Sequence, residues 1–152
     1  INLSYVQILK SPLMMELKQI IDHSGISCSG IIVELTESGY LEGTPAVRSV
    51  WNDMKKLRIQ IALDDFGTGY SNLMNISNLE PDIVKLDRGF TLKALSRSYE
   101  YQLMQYVIEM VHKLNQYVCV EGVETKEDLE KIKALGPDLI QGYYYSKPCS
   151  RE

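Results

Sequence analysis

The sequence predicts an α/β fold in which short, mostly parallel strands alternate with helices. Six short apolar runs occur between stretches that have the apolar spacing of amphipathic helices, and this alternation is typical of repeated βαβ units. No Gly-x-Gly-x-x-Gly follows the first run, so a dinucleotide-binding Rossmann fold has little support. The expected architecture is an incomplete (β/α)8 TIM-like barrel with about six strands.

The predicted elements follow one another in a regular order. The expected strands are residues 1–3, 30–35, 59–63, 82–86, 117–121 and 138–141, and the expected helices are residues 12–24, 44–57, 71–79, 98–114 and 126–135. Several residues suit helix starts or ends, namely Pro12, Gly25, Thr44 with Pro45, Ser71, Thr125 and Gly136. The apolar spacing also predicts the buried side of helix 98–114, made of Leu103, Tyr106, Val107, Met110, Val111 and Leu114.

Composition and charge limit the classes of protein. The chain has 152 residues, 45% of them hydrophobic, and a net charge of −4, so one domain with a core is expected and duplex nucleic acid is not an expected partner. No apolar run approaches the roughly 20 residues of a membrane span, and no signal peptide is visible. The chain begins at Ile1 inside an expected strand, which indicates a piece of a longer protein that other domains could attach to a membrane.

The metal-binding residue types are few. The three cysteines are far apart in the sequence, which favours a reducing compartment, taken here as the cytoplasm, over a disulfide framework or a zinc site. His23 and His112 each lie in a helical stretch and are interpreted as surface or helix-packing residues. A metal ion would therefore be held by oxygen atoms, which favours Mg²⁺, Mn²⁺ or Ca²⁺.

A polar residue lies at the end of each apolar run. These residues recur every 20 to 36 positions, which is the length of a strand–helix unit. Each one alone could be a solvated surface residue, but the carboxyl ends of all strands in a (β/α)8 barrel meet around one mouth. The set therefore predicts one site built from Asn2, Glu34, Asp64 with Asp65, Lys85, Glu121 and Gln141.

The adjacent acids Asp64 and Asp65 are the centre of this predicted site. Two neighbouring carboxylates repel each other unless a cation lies beside them, although an Asp-rich turn is an alternative interpretation. Two metal ions about 3.5–4 Å apart can clamp the attacking and leaving oxygens of a phosphoryl transfer. Lys85 could neutralise phosphate charge or hold the attacking water, and Glu121 could accept its proton.

Six motifs of this sequence resemble, in order, those of the EAL-domain cyclic-di-GMP phosphodiesterases. The resemblance covers the whole chain and implies a modified (β/α)8 barrel that hydrolyses cyclic di-GMP to linear pGpG with Mg²⁺ or Mn²⁺. The motifs are Asn2-Leu3-Ser4, Glu34-Leu35-Thr36-Glu37, Asp64-Asp65-Phe66-Gly67-Thr68-Gly69-Tyr70-Ser71, Val84-Lys85-Leu86-Asp87, Glu121-Gly122-Val123-Glu124-Thr125 and Gln141-Gly142-Tyr143.

The resemblance also implies a role for each matching residue. It implies that Asn2, Glu34 and Asp64 are ligands of one metal ion and that Asp64 and Asp65 are ligands of a second. Lys85 and Glu121 would handle the water, with Glu121 as general base, and Gln141 would line the site. The remaining three have supporting roles: Glu37 would anchor the loop after Asp65, Glu124 would support the same region, and Asp87 would pair with a nearby cation. Ordinary surface charge is the alternative for Glu37, Asp87 and Glu124.

One departure from the family pattern is clear. The sequence contains no Glu-Ala-Leu, the motif whose glutamate is a metal ligand in the family, and it is about 100 residues shorter than a typical barrel of about 250. We interpret residues 1–152 as the C-terminal two-thirds of an EAL-type domain. On this interpretation we expect weak or no hydrolysis by this chain alone, and a dimer or higher association that covers exposed sheet edges.

Other functions stay open at this point. The chain could be a catalytically inactive module that binds cyclic di-GMP or other proteins, or an unrelated metal-dependent barrel enzyme. Asp65-Phe66-Gly67 also matches the metal-binding motif of protein kinases, but no His-Arg-Asp loop or Gly-rich phosphate loop accompanies it.

Overall fold

The fold is described by a computed structural model that covers residues 1–10, 12–36, 44–68, 76 and 79–150. These residues form two compact units. The first lies within Ile1–Asp64 and Asn72–Asp82, and the second within Asp65–Ser71 and Ile83–Glu152. None of the helices in the described part of the chain has the length and apolar character that a membrane crossing requires.

Within the described residues, three parallel strands and three helices belong to the first unit. The strands are β1 (Asn2–Leu3), β2 (Ile32–Thr36) and β3 (Gln60–Phe66, whose last two residues belong to the second unit), and the helices are α1 (Tyr5–Lys10), α2 (Leu13–Ser24) and α3 (Pro45–Lys56), with a 3-10 turn at Cys28–Gly30. Strand β2 pairs with β1 on one side and with β3 on the other. Helix α3 contacts both α1 and α2.

The core of the first unit lies on one face of its strands. Successive strand residues point to opposite faces, and the buried set on this face consists of Leu3, Val33, Leu35, Ile61 and Leu63. Helix α3 begins where the Thr44 side chain accepts a hydrogen bond from the amide of Val47. Its buried Trp51 donates a hydrogen bond of 2.8 Å from Nε1 to the carbonyl of Leu79, so this large side chain is both packed and fixed in orientation.

Three further parallel strands and three helices of the described residues belong to the second unit. The strands are β4 (Ile83–Leu86), β5 (Tyr117–Glu121) and β6 (Leu139–Gln141), and the helices are α4 (Arg88–Ser96), α5 (Ser98–Lys113) and α6 (Lys126–Lys133). Strand β5 pairs with β4 and with β6. Helix α6 begins with a capping box, in which Thr125 and Asp128 each accept a hydrogen bond from the other's amide.

The predicted α/β class is confirmed, with local differences. All six predicted strands are present, and the helices predicted at residues 12–24, 44–57, 98–114 and 126–135 are present within a few residues. Strand β3 was predicted to end at Leu63 but continues through both aspartates, since the carbonyl of Phe66 still accepts a hydrogen bond from the amide of Asp87. Helices α1 and α4 were not predicted. The predicted helix 71–79 lies mostly outside the described residues.

The predicted buried side of helix α5 is wrong in part. Of the six residues predicted to be buried, only Val111 is fully buried, and it packs with Met104 and Ile108. Leu103 and Tyr106 point outward and are 42% and 66% exposed. Apolar residues occur on both sides of this helix, so the spacing alone did not distinguish the inner side from the outer side.

Two Pro-Asp pairs begin strands in the same way. The Asp82 carboxylate accepts a 2.8 Å hydrogen bond from the amide of Ile61, and its own amide donates to the carbonyl of Ile61 at 2.9 Å. Asp138 makes the same two bonds to Val118, at 2.8 Å and 3.1 Å. Asp138 thus joins the start of its own strand to Val118 of β5, and Asp82 is bonded to Ile61 of β3 within the first unit.

We expect Asp82→Ala to destabilise the protein by about 1–3 kcal/mol, because the buried amide of Ile61 then loses its acceptor. Urea unfolding followed by circular dichroism measures this change. Asp53→Ala is the matched control: Asp53 forms an exposed ion pair with Lys56 at 2.8 Å, and the loss of this pair should cost less than about 0.5 kcal/mol. Equal effects of the two variants would contradict the role assigned to Asp82.

The Asp138 carboxylate adds stability that depends on pH. Burial alone would raise its pKa, but hydrogen bonds from Val118 and His112, together with the charge of His112, lower the pKa of Asp138 below its ordinary 3.8. Because the unfolded chain binds the proton first as the pH falls, this stability is full above the ordinary pKa and is lost as the pH falls through the folded pKa. The free-energy difference between the wild type and Asp138→Asn should therefore shrink from pH 6 to pH 3. A difference that does not change with pH would contradict this assignment.

Candidate active site

The first unit brings together three of the predicted site residues. Asn2 and Glu34 are direct register partners on β1 and β2. Glu34 is aligned with Ala62 on β3, and Asp64 follows two residues later on that strand. Because residues two apart on a strand point to the same face, Asn2, Glu34 and Asp64 share the face opposite the buried Val33 and Leu35. In this unit the polar residues are therefore next to each other, as predicted.

The oxygen donors of these three residues are of the chemical type that binds hard divalent cations. They comprise carboxylate oxygens from Glu34 and Asp64 and an amide oxygen from Asn2, which are oxygen ligands of the kind that Mg²⁺ and Mn²⁺ prefer. Within the residues that the structure describes, no three His, Cys, Asp or Glu side chains form a metal-binding group. Of the three predicted donors in the first unit only two are acidic, so the amide of Asn2 is a necessary part of the set.

An ion pair joins the strand ends of the second unit. Lys85 on β4 and Glu121 on β5 approach to 2.8 Å between Nζ and Oε1, and their side chains are only 7% and 19% exposed. The register aligns Lys85 with Cys119, which places Glu121 two residues further along the same face of β5. Lysine is almost never this buried unless it is paired, so the two side chains fix each other's position.

A cleft of about 270 Å³ lies beside this ion pair. Its wall includes an Arg88–Glu124 pair in which Nη2 and Nε of the arginine donate to one glutamate oxygen at 2.7 Å and 3.1 Å. The cleft is open to solvent, and its polar side chains are two carboxylates, an amide, a phenol and a guanidinium, a combination that can bind and orient a polar ligand. The lining residues are Arg88, Glu121, Gly122, Glu124, Gln141, Gly142 and Tyr143.

The remaining predicted residues have different surroundings. Asp65 lies in β3 with a left-handed backbone, at φ 60°. Asp87, predicted to pair with a nearby cation, begins helix α4, where its carboxylate accepts a 2.7 Å hydrogen bond from the amide of Gly89. Glu124, predicted to support the loop after Asp65, pairs with Arg88. Glu37 lies outside the described residues.

Arg88 lines the cleft but was not predicted as a site residue. It follows Asp87 directly, in a segment for which no helix or strand was predicted. Gly122 and Gly142 carried a usable signal, because a glycine directly after a strand often marks a close approach of two chain segments. A Cβ at Gly122 would collide with the Arg88 side chain, and a Cβ at Gly142 would collide with the Val123 carbonyl oxygen.

The family follows from comparison with known proteins. The family model named EAL domain matches residues 1–148 of this chain. The chain belongs to the EAL-domain family. The cyclic di-GMP phosphodiesterase PdeF of Escherichia coli is 32% identical over 148 residues, which are 97% of this chain and 20% of that protein. This EAL chain thus spans about a fifth of the length of the first curated relatives that it matches.

Solved EAL structures confirm the predicted TIM-barrel-like α/β fold. Klebsiella pneumoniae BlrP1, in a manganese and cyclic di-GMP complex, has a TM-score of 0.92 at 27% identity over 98% of this chain and 38% of that chain. The EAL domain of Mycobacterium smegmatis DcpA has a TM-score of 0.88 at 28% identity, over 97% of this chain and 66% of that chain.

Proposed function

We propose that this EAL chain supplies catalytic and metal-binding residues of a phosphodiesterase that hydrolyses cyclic di-GMP to linear pGpG. The observation that carries the proposal is the Lys85–Glu121 pair, a lysine and a carboxylate 2.8 Å apart at the ends of parallel strands. The family supports the substrate, because relatives such as PdeF are named cyclic di-GMP phosphodiesterases and BlrP1 was solved with manganese and cyclic di-GMP.

The proposed chemistry is attack of water on one phosphodiester bond. The water oxygen forms the new bond to phosphorus while Glu121 accepts a proton of the water as general base. The bond from phosphorus to the ribose 3′ oxygen breaks, and this oxygen takes up a proton from solvent to become the 3′ hydroxyl of pGpG. Lys85 holds the Glu121 carboxylate in place and offsets negative charge on the phosphate. Gln141 lines the cleft beside Glu121 and is proposed to orient the substrate.

Metal ions are proposed to assist from the predicted acidic residues. Asn2, Glu34 and Asp64 would hold one Mg²⁺ or Mn²⁺, and Asp64 with Asp65 would hold a second. When bound, such cations neutralise charge on the reacting phosphate and template the attacking and leaving groups. Glu37 and Asp87 remain proposed support residues, Glu37 for the loop that follows Asp65 and Asp87 as the cap of helix α4.

Product analysis tests the proposed function. The full protein is incubated with cyclic di-GMP and Mg²⁺ or Mn²⁺, and the nucleotides are separated by chromatography. We expect pGpG to appear, EDTA to stop its formation, and Glu121→Gln to abolish it. Tight binding of cyclic di-GMP without formation of pGpG would instead support the inactive binding module. A protein that neither binds nor hydrolyses cyclic di-GMP would exclude both functions.

The activity of the 152 residues by themselves is a separate question. Because they contain no Glu-Ala-Leu, we propose that they hydrolyse cyclic di-GMP slowly or not at all. A chimera separates this effect from an inherent defect: this chain replaces the matching 148-residue segment of PdeF. We expect the chimera to be active when the isolated chain is not. An inactive chimera that is folded and binds cyclic di-GMP would argue against catalytic competence of these residues.

We further propose that copies of the chain associate as dimers or larger assemblies. The outer side of helix α5 supports this, since Tyr99, Leu103 and Tyr106 lie one turn apart and are 74%, 42% and 66% exposed. Size-exclusion chromatography with light scattering should show at least a dimer, and Tyr106→Glu should shift it toward monomer. A wild-type monomer at all concentrations would contradict the proposal.

We also propose that the protein is located in the cytoplasm. Cys28, Cys119 and Cys149 are all free thiols, as expected for a protein of the reducing cytoplasm.

A further inference from the structure

A second ion pair repeats the first one three residues further along both chain segments. Arg88 follows Lys85 by three positions, and Glu124 follows Glu121 by three positions. Whereas Lys85 and Glu121 are mostly buried, Arg88 and Glu124 are 59% and 38% exposed. Two hydrogen bonds from one guanidinium to a single carboxylate oxygen hold this outer pair, a geometry that a lysine cannot reproduce.

The stem of Arg88 lies directly on the backbone of Gly122. A Cβ at Gly122 would meet the Arg88 Cβ at 2.8 Å and its Cα at 3.1 Å, and would collide with its Cγ. Gly122 also has φ 80°, in the left-handed region that favours glycine. Because Gly122 is bonded to Glu121, the position of Arg88 limits where the backbone of Glu121 can lie.

The same segment is held from its other side. The amide of Val123 donates to the carbonyl of Gln141 at 3.3 Å, and the carbonyl of Val123 accepts from the amide of Tyr144 at 3.0 Å. Gly142 packs against the Val123 backbone too closely to allow a side chain. The segment from Glu121 to Glu124 is therefore enclosed between the 141–144 turn and Arg88.

We infer that Arg88 is a positioning residue for the Lys85–Glu121 pair. Its guanidinium donates hydrogen bonds to Glu124 and its side chain packs against Gly122. Together these contacts keep the Glu121 carboxylate directed at the Lys85 ammonium. Because the Arg88–Glu124 pair is largely exposed, its removal should leave the fold intact, since exposed ion pairs contribute little to stability. The expected effect of Arg88 on kcat rests on the proposed function. The expected effect of Arg88 on the Lys85–Glu121 pair does not depend on any enzymatic activity.

The structural test follows the Lys85 ammonium group by NMR in the full protein labelled with ¹⁵N-lysine. A buried, paired ammonium exchanges slowly with water and gives a resolved signal, which Lys85→Met assigns by its disappearance. We expect Arg88→Gln to broaden or shift this signal, and Arg88→Lys to do so less. Arg97→Gln is the matched control, because Arg97 is itself 69% exposed and pairs with Glu100 at 3.2 Å, and neither residue lines the cleft. An Arg88→Gln spectrum identical to that of the wild type would overturn the inference.

The kinetic test measures cyclic di-GMP hydrolysis by the same proteins. We expect Arg88→Gln to lower kcat about tenfold with KM changed less than about twofold, Arg88→Lys to recover part of the loss, and Arg97→Gln to match the wild type. Gly122→Ala, which pushes against Arg88 from the other side, should lower kcat as well. A rise in KM at unchanged kcat would overturn the inference, because Arg88 would then act on substrate binding. If the wild type has no hydrolytic activity, the proposed function fails and the NMR experiment alone decides on Arg88.

Discussion

Replacing Lys85 with methionine is expected to lower the proposed hydrolysis of cyclic di-GMP by about 1,000-fold. The variant keeps the length of the side chain but removes the cation that lies 2.8 Å from Glu121, and loss of one preorganised charged group in an active site costs about 10²–10³ in kcat. It should also lower the free energy of unfolding by about 3 kcal/mol, because the largely buried Glu121 carboxylate is left without this charge. Steady-state kinetics and urea unfolding measure the two effects.

A double variant separates catalysis from stability. Glu121→Gln in the Lys85→Met protein removes the negative charge that the first substitution leaves in the pair. We therefore expect the free energy of unfolding to return most of the way to the wild-type value while hydrolysis stays absent. Lys55→Met is the control, since Lys55 holds the exposed Glu80 at 3.5 Å and its loss should cost less than about 1 kcal/mol. If Lys85→Met kept a tenth or more of the wild-type activity, the proposed role of the pair would be wrong.

Replacing Glu34 with glutamine is expected to weaken Mn²⁺ binding by about 100-fold and to lower hydrolysis in proportion at limiting metal. Glu34 lies between Asn2 on β1 and the strand of Asp64, and the substitution exchanges the charged oxygen of a proposed ligand for a neutral one. Loss of a partner that only supports a metal ligand already costs about 10–100-fold in affinity. Isothermal titration with Mn²⁺ measures the change in the full protein.

Two further observations make the Glu34 experiment specific. Excess Mn²⁺ should restore part of the activity of Glu34→Gln, because the fold and the Lys85–Glu121 pair are unchanged. Glu16→Gln is the control, since Glu16 lies exposed in the first turn of α2 and its loss should leave both affinity and rate unchanged. Unaltered Mn²⁺ affinity in Glu34→Gln would remove this residue from the proposed ligands.

The fold was predictable where the signal is local. The helix starts at Thr44 and Thr125 are capped by side chains within three residues, so the sequence contains both halves of each interaction. Helix α4 was missed because its start depends on Asp87, which the motif comparison had assigned to the site. The inner side of α5 was missed because the choice between Leu103 and Met104 depends on contacts with other elements.

The site was predictable where residues recur in phase with the strands. The spacing predicted that the strand-end residues, including Lys85 and Glu121, would lie at one end of the sheet, and the side chains of these two approach to 2.8 Å. The Arg88–Glu124 pair was not predictable in this way, because Arg88 lies in a helix and is placed by packing against Gly122. In the sequence, the only sign of such a contact is the glycine itself. A glycine alone does not show which residue packs against it.

The left-handed backbone of Asp65 has a consequence for how this protein could evolve. At φ 60° glycine would be the least strained residue, and aspartate is one of the few others that tolerate the conformation. A single-step change to glycine would relax the chain and delete the carboxylate at once. Backbone strain alone therefore favours glycine here, and aspartate is kept only where its carboxylate has a use, in an interaction within the protein or in its chemistry.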